Sequence, residues 1–448
     1  MPAIALLRRV GLAVAVAGCV VAGGLVASGG SDEATAPAAP VPTVAVRANV
    51  DPLSALTGGA DQLAQLQGVV EQRPKDAQAN ARLGLAYLQR ARETYDPSYY
   101  GKADELLDRA KALEPNNLDA TLGLGSLALS RHDFEDALAL GHNALTLSKG
   151  FSPGASAIVG DAQIELGRYD EAFRTMDALG QLHPSLVAWA RQSYAAELRG
   201  DLEAATGYMR QAVESGAGGG EATQWTRVQF AALLLKQGRI DAAEREYHHA
   251  LAALPTYARA QAGLGAVALA RGDLAEAELQ YQAAADRIPL PEILIALGDV
   301  QAARGEATAA KASYDLVRAE QQLFQQAGGN ADLELAVFEA NHGDPARAVA
   351  LARKAVADRP SVFAHDALGW ALFKSGDCGA ALSEARAATR LRSADQTLAY
   401  HHGAIAACAG RLAEARAALE RSLAGNPRFN AVDGPAARTV LDNLKDQA

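Results

Sequence analysis

Nine histidines and three cysteines are where metal or nucleophilic chemistry would have to begin in this 448-residue chain. His248-His249 and His401-His402 are adjacent pairs on helical stretches. Neighbouring residues on a helix point about 100° apart, so neither pair chelates from one face. His365-Asp366 ahead of Cys378 offers a base and a thiol, but no motif surrounds Cys378. There is no His-Glu-x-x-His, no G-x-S-x-G elbow, no Walker A sequence and no Cys-x-x-Cys. The run Gly216-Ala217-Gly218-Gly219-Gly220 lacks the Lys-Ser/Thr and the preceding strand of a phosphate loop. It reads as a flexible connection between two halves of the chain. The sequence therefore predicts no catalytic residue, no cofactor and no metal. Cys378 and Cys408 would pair if the chain sits outside the cytoplasm and their segments stack.

The elements that would position these residues are helices. Ala258 to Pro289 holds two amphipathic stretches separated by Arg271-Gly272-Asp273. Its marker, Ala277, has counterparts at 103, 137, 172, 205, 243, 310, 348, 381 and 415, spaced by 33 to 38 residues. A turn glycine lies five residues before most of them (Gly167, Gly200, Gly238, Gly272, Gly305, Gly343, Gly376, Gly410). Proline often lies twelve residues after (Pro115, Pro184, Pro255, Pro289, Pro360, Pro427). Glycine allows the left-handed residue that ends a helix. Asp201, Asp241, Asp273, Asp344 and Asp377 are expected to cap the next one. Leu83-Gly84, Leu124-Gly125, Leu264-Gly265, Leu297-Gly298 and Leu368-Gly369 put a small residue where paired helices cross. One such unit cannot bury its apolar face, whereas stacked neighbours can.

This period and order of small, aromatic and proline positions resembles the tetratricopeptide repeat. The resemblance covers about residues 77 to 427. It implies an all-α, right-handed α-solenoid of about ten helix-turn-helix repeats. A capping helix is expected within 53–76 and another within 428–448. Gly84 to Ala103 is seven residues longer than its counterparts and brings in Tyr95, Tyr99 and Tyr100. This predicts a longer first turn, either closed by Pro97 and its own tyrosines or presenting them as a contact loop. The spacing from Ala310 to Ala348 predicts a helix prolonged through Glu320–Gln326 and broken at Gly328-Gly329. Trp189 falls at a core aromatic position of the repeat.

Residues 1–30 read as a signal peptide or membrane anchor. Arg8-Arg9 precede an apolar run from Val10 to Ala27, and Asp32 and Glu33 follow it. An uncleaved transmembrane helix, a cleaved leader and lipidation at Cys19 (within Val16-Ala17-Gly18-Cys19) are all open. Residues 31–52, with Pro37, Pro40, Pro42 and Pro52, form an Ala/Pro-rich tether. This layout predicts an exported or membrane-tethered bacterial chain of the cell envelope, outside the cytoplasm.

A net charge of -10 disfavours nucleic acid as a partner. The family implies a groove lined by the first helices of the repeats. Its register places Trp225, Trp370, Phe373 and Tyr400 on or near that lining. Aromatics in a groove make binding anchors; in the seam between repeats they are packing. The Lys/Asn set with which some members clamp a C-terminal carboxylate is not recognisable. The function expected is a non-catalytic scaffold that binds a protein or peptide partner. A small-molecule or cell-wall-binding module, or an enzyme with an unrecognised site, is the alternative.

Overall fold

The computed structural model describes residues 60–216 and 220–445. The leader and tether expected over 1–52, and residues 217–219 of the glycine run, lie outside the described residues. Among the described residues no helix is long and apolar enough to cross a membrane. They form helices and no strand.

α1 (Ala60–Gln72) stands alone. Ten hairpins follow among the described residues, which we number as repeats 1 to 10. They are α2 (Ala77–Thr94) with α3 (Ser98–Leu113), α4 (Leu118–Ser130) with α5 (Phe134–Leu147), and α6 (Pro153–Glu165) with α7 (Tyr169–Leu182). Next come α8 (Leu186–Leu198) with α9 (Leu202–Ser215), α10 (Glu221–Lys236) with α11 (Ile240–Ala253), and α12 (Ala258–Arg271) with α13 (Leu274–Ala285). The last are α14 (Pro291–Ala303) with α15 (Ala307–Gln326), α16 (Asp332–His342) with α17 (Pro345–Asp358), α18 (Val362–Lys374) with α19 (Cys378–Ala388), and α20 (Gln396–Cys408) with α21 (Leu412–Ser422). α22 (Asp433–Lys445) packs on α20 and α21 through Ala437, Leu441 and Leu444. The chain is thus an all-α helical repeat solenoid.

The marker alanines explain how tightly the hairpins close. Ala103, Ala137, Ala172, Ala205, Ala243, Ala277, Ala310, Ala348, Ala381 and Ala415 are all buried. The facing glycines leave no room either. A Cβ on Gly298 would run into the Tyr314 ring, and one on Gly84 would lie 2.7 Å from Leu107 Cγ. A larger residue there overpacks the crossing, at about 1–3 kcal/mol. Asp201, Asp273, Asp344 and Asp377 accept from the first-turn N–H groups of α9, α13, α17 and α19, at 2.9 to 3.0 Å.

Three local expectations change. Arg239, not Asp241, precedes α11; Asp241 sits within its first turn and pairs with Arg271 Nη2 at 2.8 Å. Gly343 ends α16 with φ -144°, outside the left-handed region. The seven extra residues of repeat 1 do not lengthen its turn. They prolong α2 and α3 to 18 and 16 residues and leave Tyr95, Asp96 and Pro97 between them. Tyr100 is buried and Tyr99 stacks on Tyr87, but Tyr95 leaves the hairpin altogether.

Tyr95 belongs to a set of contacts between distant repeats. Its hydroxyl accepts from Arg259 Nε at 2.7 Å, at the head of repeat 6. The turn of repeat 2 meets the junction of repeats 7 and 8. There the Asn330 N–H donates to the Arg131 carbonyl (2.9 Å), and His132 Nδ1 lies 2.8 Å from the Asn330 carbonyl. Repeat 3 meets the next junction, where the Val362 N–H donates to the Tyr169 hydroxyl at 2.7 Å. Repeat 4 meets the one after, where the Ala394 N–H donates to the Glu197 carbonyl at 3.1 Å. The contact advances one repeat at a time, so the solenoid winds far enough for successive superhelical turns to touch.

Candidate functional site

The face of the first helices is open where these two superhelical turns meet beside repeats 4 and 5. α8 contributes Tyr194 and Glu197, and α10 contributes Trp225, Gln229 and Lys236. Phe363 of α18 and Ser393 and Asp395 of the α19–α20 connection close the cleft from the second turn. Trp225, Tyr194 and Phe363 are each half-buried, while Leu198, Met209 and Leu233 beneath them are buried. The cleft therefore has an apolar, aromatic body and a polar rim.

Backbone geometry makes the rim possible. Gly200 ends the first helix of repeat 4 with φ +81°, and a Cβ on it would collide with the Arg392 carbonyl oxygen. Gly167 faces the Pro360 carbonyl just as closely. Sequence reasoning assigned these glycines to helix termination alone. They also let one superhelical turn lie on the next.

Lys236 organises the rim charges. Its ammonium pairs with the Glu197 carboxylate, and Asp395 Oδ2 lies 4.0 Å away. Burial opposes its charge, but Glu197 and Asp395 outweigh it and hold its pKa above the ordinary value. Asp395 Oδ1 caps α20, accepting from the Thr397 and Leu398 N–H groups at 2.9 and 3.1 Å. Arg191 lies deeper, 2% exposed. Its guanidinium donates to both oxygens of Asp161, at 2.9 and 2.5 Å.

The other three aromatics are differently placed. Trp370 is 2% exposed and Tyr400 7%, and Phe373 is half-buried beside them. The Trp370 ring stacks on His401 with centroids 3.9 Å apart, and its Nε1 donates to Asn341 Oδ1 at 2.8 Å. Trp370 and Tyr400 therefore fill the seam between repeats, with no face left for a partner. Trp189, placed in the core by its repeat position, is half-buried and stacks on Tyr208 at 6.0 Å.

His365, His401, His402, Cys378 and Cys408 are engaged elsewhere, whereas His248 and His249 are exposed on α11, with His249 Nδ1 3.6 Å from Glu246. His401 Nδ1 lies 2.8 Å from Asp366, His402 Nε2 lies 2.8 Å from Glu414, and His365 Nδ1 lies 2.7 Å from Glu384. Cys378 and Cys408 are joined in a disulfide, with Cα atoms 5.8 Å apart. This removes Cys378 as a partner for His365. Among the described residues no group of three or more His, Cys, Asp or Glu could hold a metal ion.

One charged cluster that the sequence did not reveal lies between the superhelical turns. Arg359 donates to Glu334 at 3.1 and 3.2 Å, and its Nη1 lies 3.6 Å from Glu165. Glu165 is buried, and one of its oxygens has no hydrogen-bond partner. Burial raises its pKa to about 7, despite Arg359. Glu165 stands on one superhelical turn and Glu334 and Arg359 on the other, so no local pattern brings them together.

Residues 228–290 and 367–429 match the family model for the tetratricopeptide repeat. Among solved structures, a thermophilic TPR protein of Thermus thermophilus is 22% identical, covering 40% of this chain and 92% of that one, with a TM-score of 0.35. A tetratricopeptide repeat protein from Parabacteroides merdae is 14% identical, covering 58% and 98%, with a TM-score of 0.34. Yeast Tom70 is 11% identical, covering 86% and 96%, with a TM-score of 0.38. No curated protein matches the sequence.

Proposed function

From a chain that is a tetratricopeptide repeat protein, we infer a scaffold of the cell envelope that binds a protein or peptide partner on the face of its first helices. The observation that carries this reading is the cleft at Trp225. It presents half-buried aromatic side chains on that face, over a buried apolar floor and beneath a charged rim. Recognition sites commonly combine such an apolar body with a few fixed polar groups. Of the four aromatics expected to contact a partner, Trp225 alone lines this cleft. Phe373 stacks on Trp370 at 5.0 Å and supports the seam.

Two features support the compartment. Arg8-Arg9 with the apolar run to Ala27 reads as an export leader or anchor. The Cys378–Cys408 disulfide suits an oxidising environment outside the cytoplasm. The partner would then be an envelope protein, reached from a chain tethered at its N-terminus.

A photoreactive amino acid at Gln229, inside the cleft, tests the scaffold reading in intact cells. Discrete protein adducts are expected there, and not from the exposed position Glu203 on α9. Identical adducts from both positions, or none from Gln229, would overturn it. Alkylation of unreduced, unfolded protein tests the compartment. Cys378 and Cys408 should stay unmodified until a reductant is added.

A further inference from the structure

The cleft carries a chemical preference as well as a shape. We propose that it is a peptide-binding site selecting an apolar side chain, aromatic or large aliphatic, next to a basic residue. This deepens the scaffold reading and rests on it.

The apolar half of the preference comes from the walls. Trp225, Tyr194 and Phe363 surround the opening, and the buried residues beneath them are apolar apart from Arg191, which Asp161 pairs. A side chain entering there exchanges water for aromatic and aliphatic contact.

The basic half comes from the rim charges. Arg191 contributes no free charge, because Asp161 accepts from its Nε and Nη2 and the Val187 carbonyl accepts from its Nη1. That leaves one ammonium, Lys236, between two carboxylates, Glu197 and Asp395. The sum is one negative charge. Lys236 is drawn onto Glu197, and Asp395 Oδ2 faces it only from 4.0 Å. Asp395 Oδ2 thus retains capacity to accept from a second cation, while its Oδ1 is spent on capping α20. A guanidinium or ammonium beside the buried side chain would complete the rim. It would also stand near aromatic faces that attract cations. An acidic residue in that place would meet two carboxylates and a lysine already engaged. Such like-charge contacts select against wrong partners more than they add affinity.

The site also joins two superhelical turns. Trp225, Tyr194 and Glu197 belong to repeats 4 and 5, whereas Phe363 and Asp395 belong to repeat 9 and the connection that follows it. Only a ligand long enough to touch both sets uses the full preference, which suits an extended peptide.

The test uses the full-length protein and a labelled nonapeptide with a central phenylalanine between two arginines in a glycine-serine frame. Two comparison peptides replace the arginines by glutamates, or the phenylalanine by serine. Fluorescence anisotropy should show the first peptide binding at least about tenfold more tightly than either comparison. Trp225→Ala should weaken it about tenfold. Asp395→Asn alone, which brings the rim charges to zero, should bring the arginine and glutamate peptides to similar affinity. Asparagine caps a helix about as well as aspartate, so α20 keeps its cap. Thermal melts identify any variant that has lost its fold, and the peptide comparison on the unmodified chain stands without variants. Equal binding of the arginine and glutamate peptides, or an unchanged affinity with Trp225→Ala, would overturn the proposal. A photoreactive phenylalanine in the same peptide should crosslink to α8 or α10. A crosslink confined to another surface, or none, sinks the cleft assignment. The scaffold reading is judged separately, by adducts from Gln229 in cells.

Discussion

Trp370 and Trp225 both stand on first helices, each in a different part of the solenoid, and they have opposite fates. Trp370 is sealed by His401, Phe373 and Tyr400, and its indole N–H is satisfied by Asn341. Trp225 keeps an open face toward Phe363 and Asp395 across the gap between superhelical turns. The difference is one of neighbours rather than residue type. Around Trp370 the next repeat brings aromatic rings against the indole. At Trp225 the walls stand apart, and what closes the space is a connection from another superhelical turn. An aromatic at a first-helix position is thus an anchor or a core residue according to what stacks beside it.

The sealed region should show the largest losses of stability. Trp370→Ala is expected to cost about 3–5 kcal/mol, read as a lower urea midpoint. A loss below about 1 kcal/mol would mean that the cluster is looser than its burial implies. Beneath the open region, Asp161→Ala should cost a comparable amount, about 3–5 kcal/mol, because it strands a buried guanidinium. Asp161→Leu with Arg191→Met should recover most of that loss, since no charge is left unpaired. If the double variant is as unstable as the single, the ion pair does more than satisfy itself.

The turn-to-turn contacts predict a pH dependence. Glu165 has a folded pKa of about 7, raised by burial above an unfolded value of 4.5. The folded state therefore favours its protonated form. Its stabilising contribution is full below about pH 4.5 and is lost as pH rises through about 7, up to roughly 3 kcal/mol. Glu165→Gln should reduce the fall of the urea midpoint across that window, leaving the part due to Asp161 and Asp299, whose pKa values burial raises to about 6. A variant whose midpoint follows the parent at every pH would exclude Glu165 as the titrating group.

The staple between repeats 9 and 10 comes next. Cys378→Ser with Cys408→Ser should lower stability by about 2–4 kcal/mol in unreduced protein and by nothing once both proteins are reduced. Trp225→Ala should have the smallest effect on folding, about 1 kcal/mol or less, while reducing adducts from Gln229. Stability losses as large for Trp225→Ala as for Trp370→Ala would erase the contrast between the two regions.

Much of the repeat was legible from spacing alone. Each marker alanine is buried where a hairpin closes, and the Leu-Gly pairs meet a partner helix at the expected crossings. The stacking of Cys378 near Cys408 was also accessible, because both lie near the turn edges of consecutive repeats. The candidate site was legible in part. Trp225 could be placed on the first-helix face, but its companions Phe363, Ser393 and Asp395 could not. The same limit hid the Glu165–Arg359–Glu334 cluster and the second role of Gly167 and Gly200. Tyr95 shows the limit most directly. Read locally it closes its own hairpin; in the structure it reaches Arg259.

By itself the sequence determined the hairpin, its period and the number of repeats. Those depend on residues three to four apart on a helix and on single turn positions, so they repeat wherever the residues do. Tertiary structure alone decided which first-helix aromatics are sealed and where a cleft stays open. A small rotation between neighbouring repeats accumulates along the solenoid. Contact between successive superhelical turns depends on that sum, which no single repeat contains.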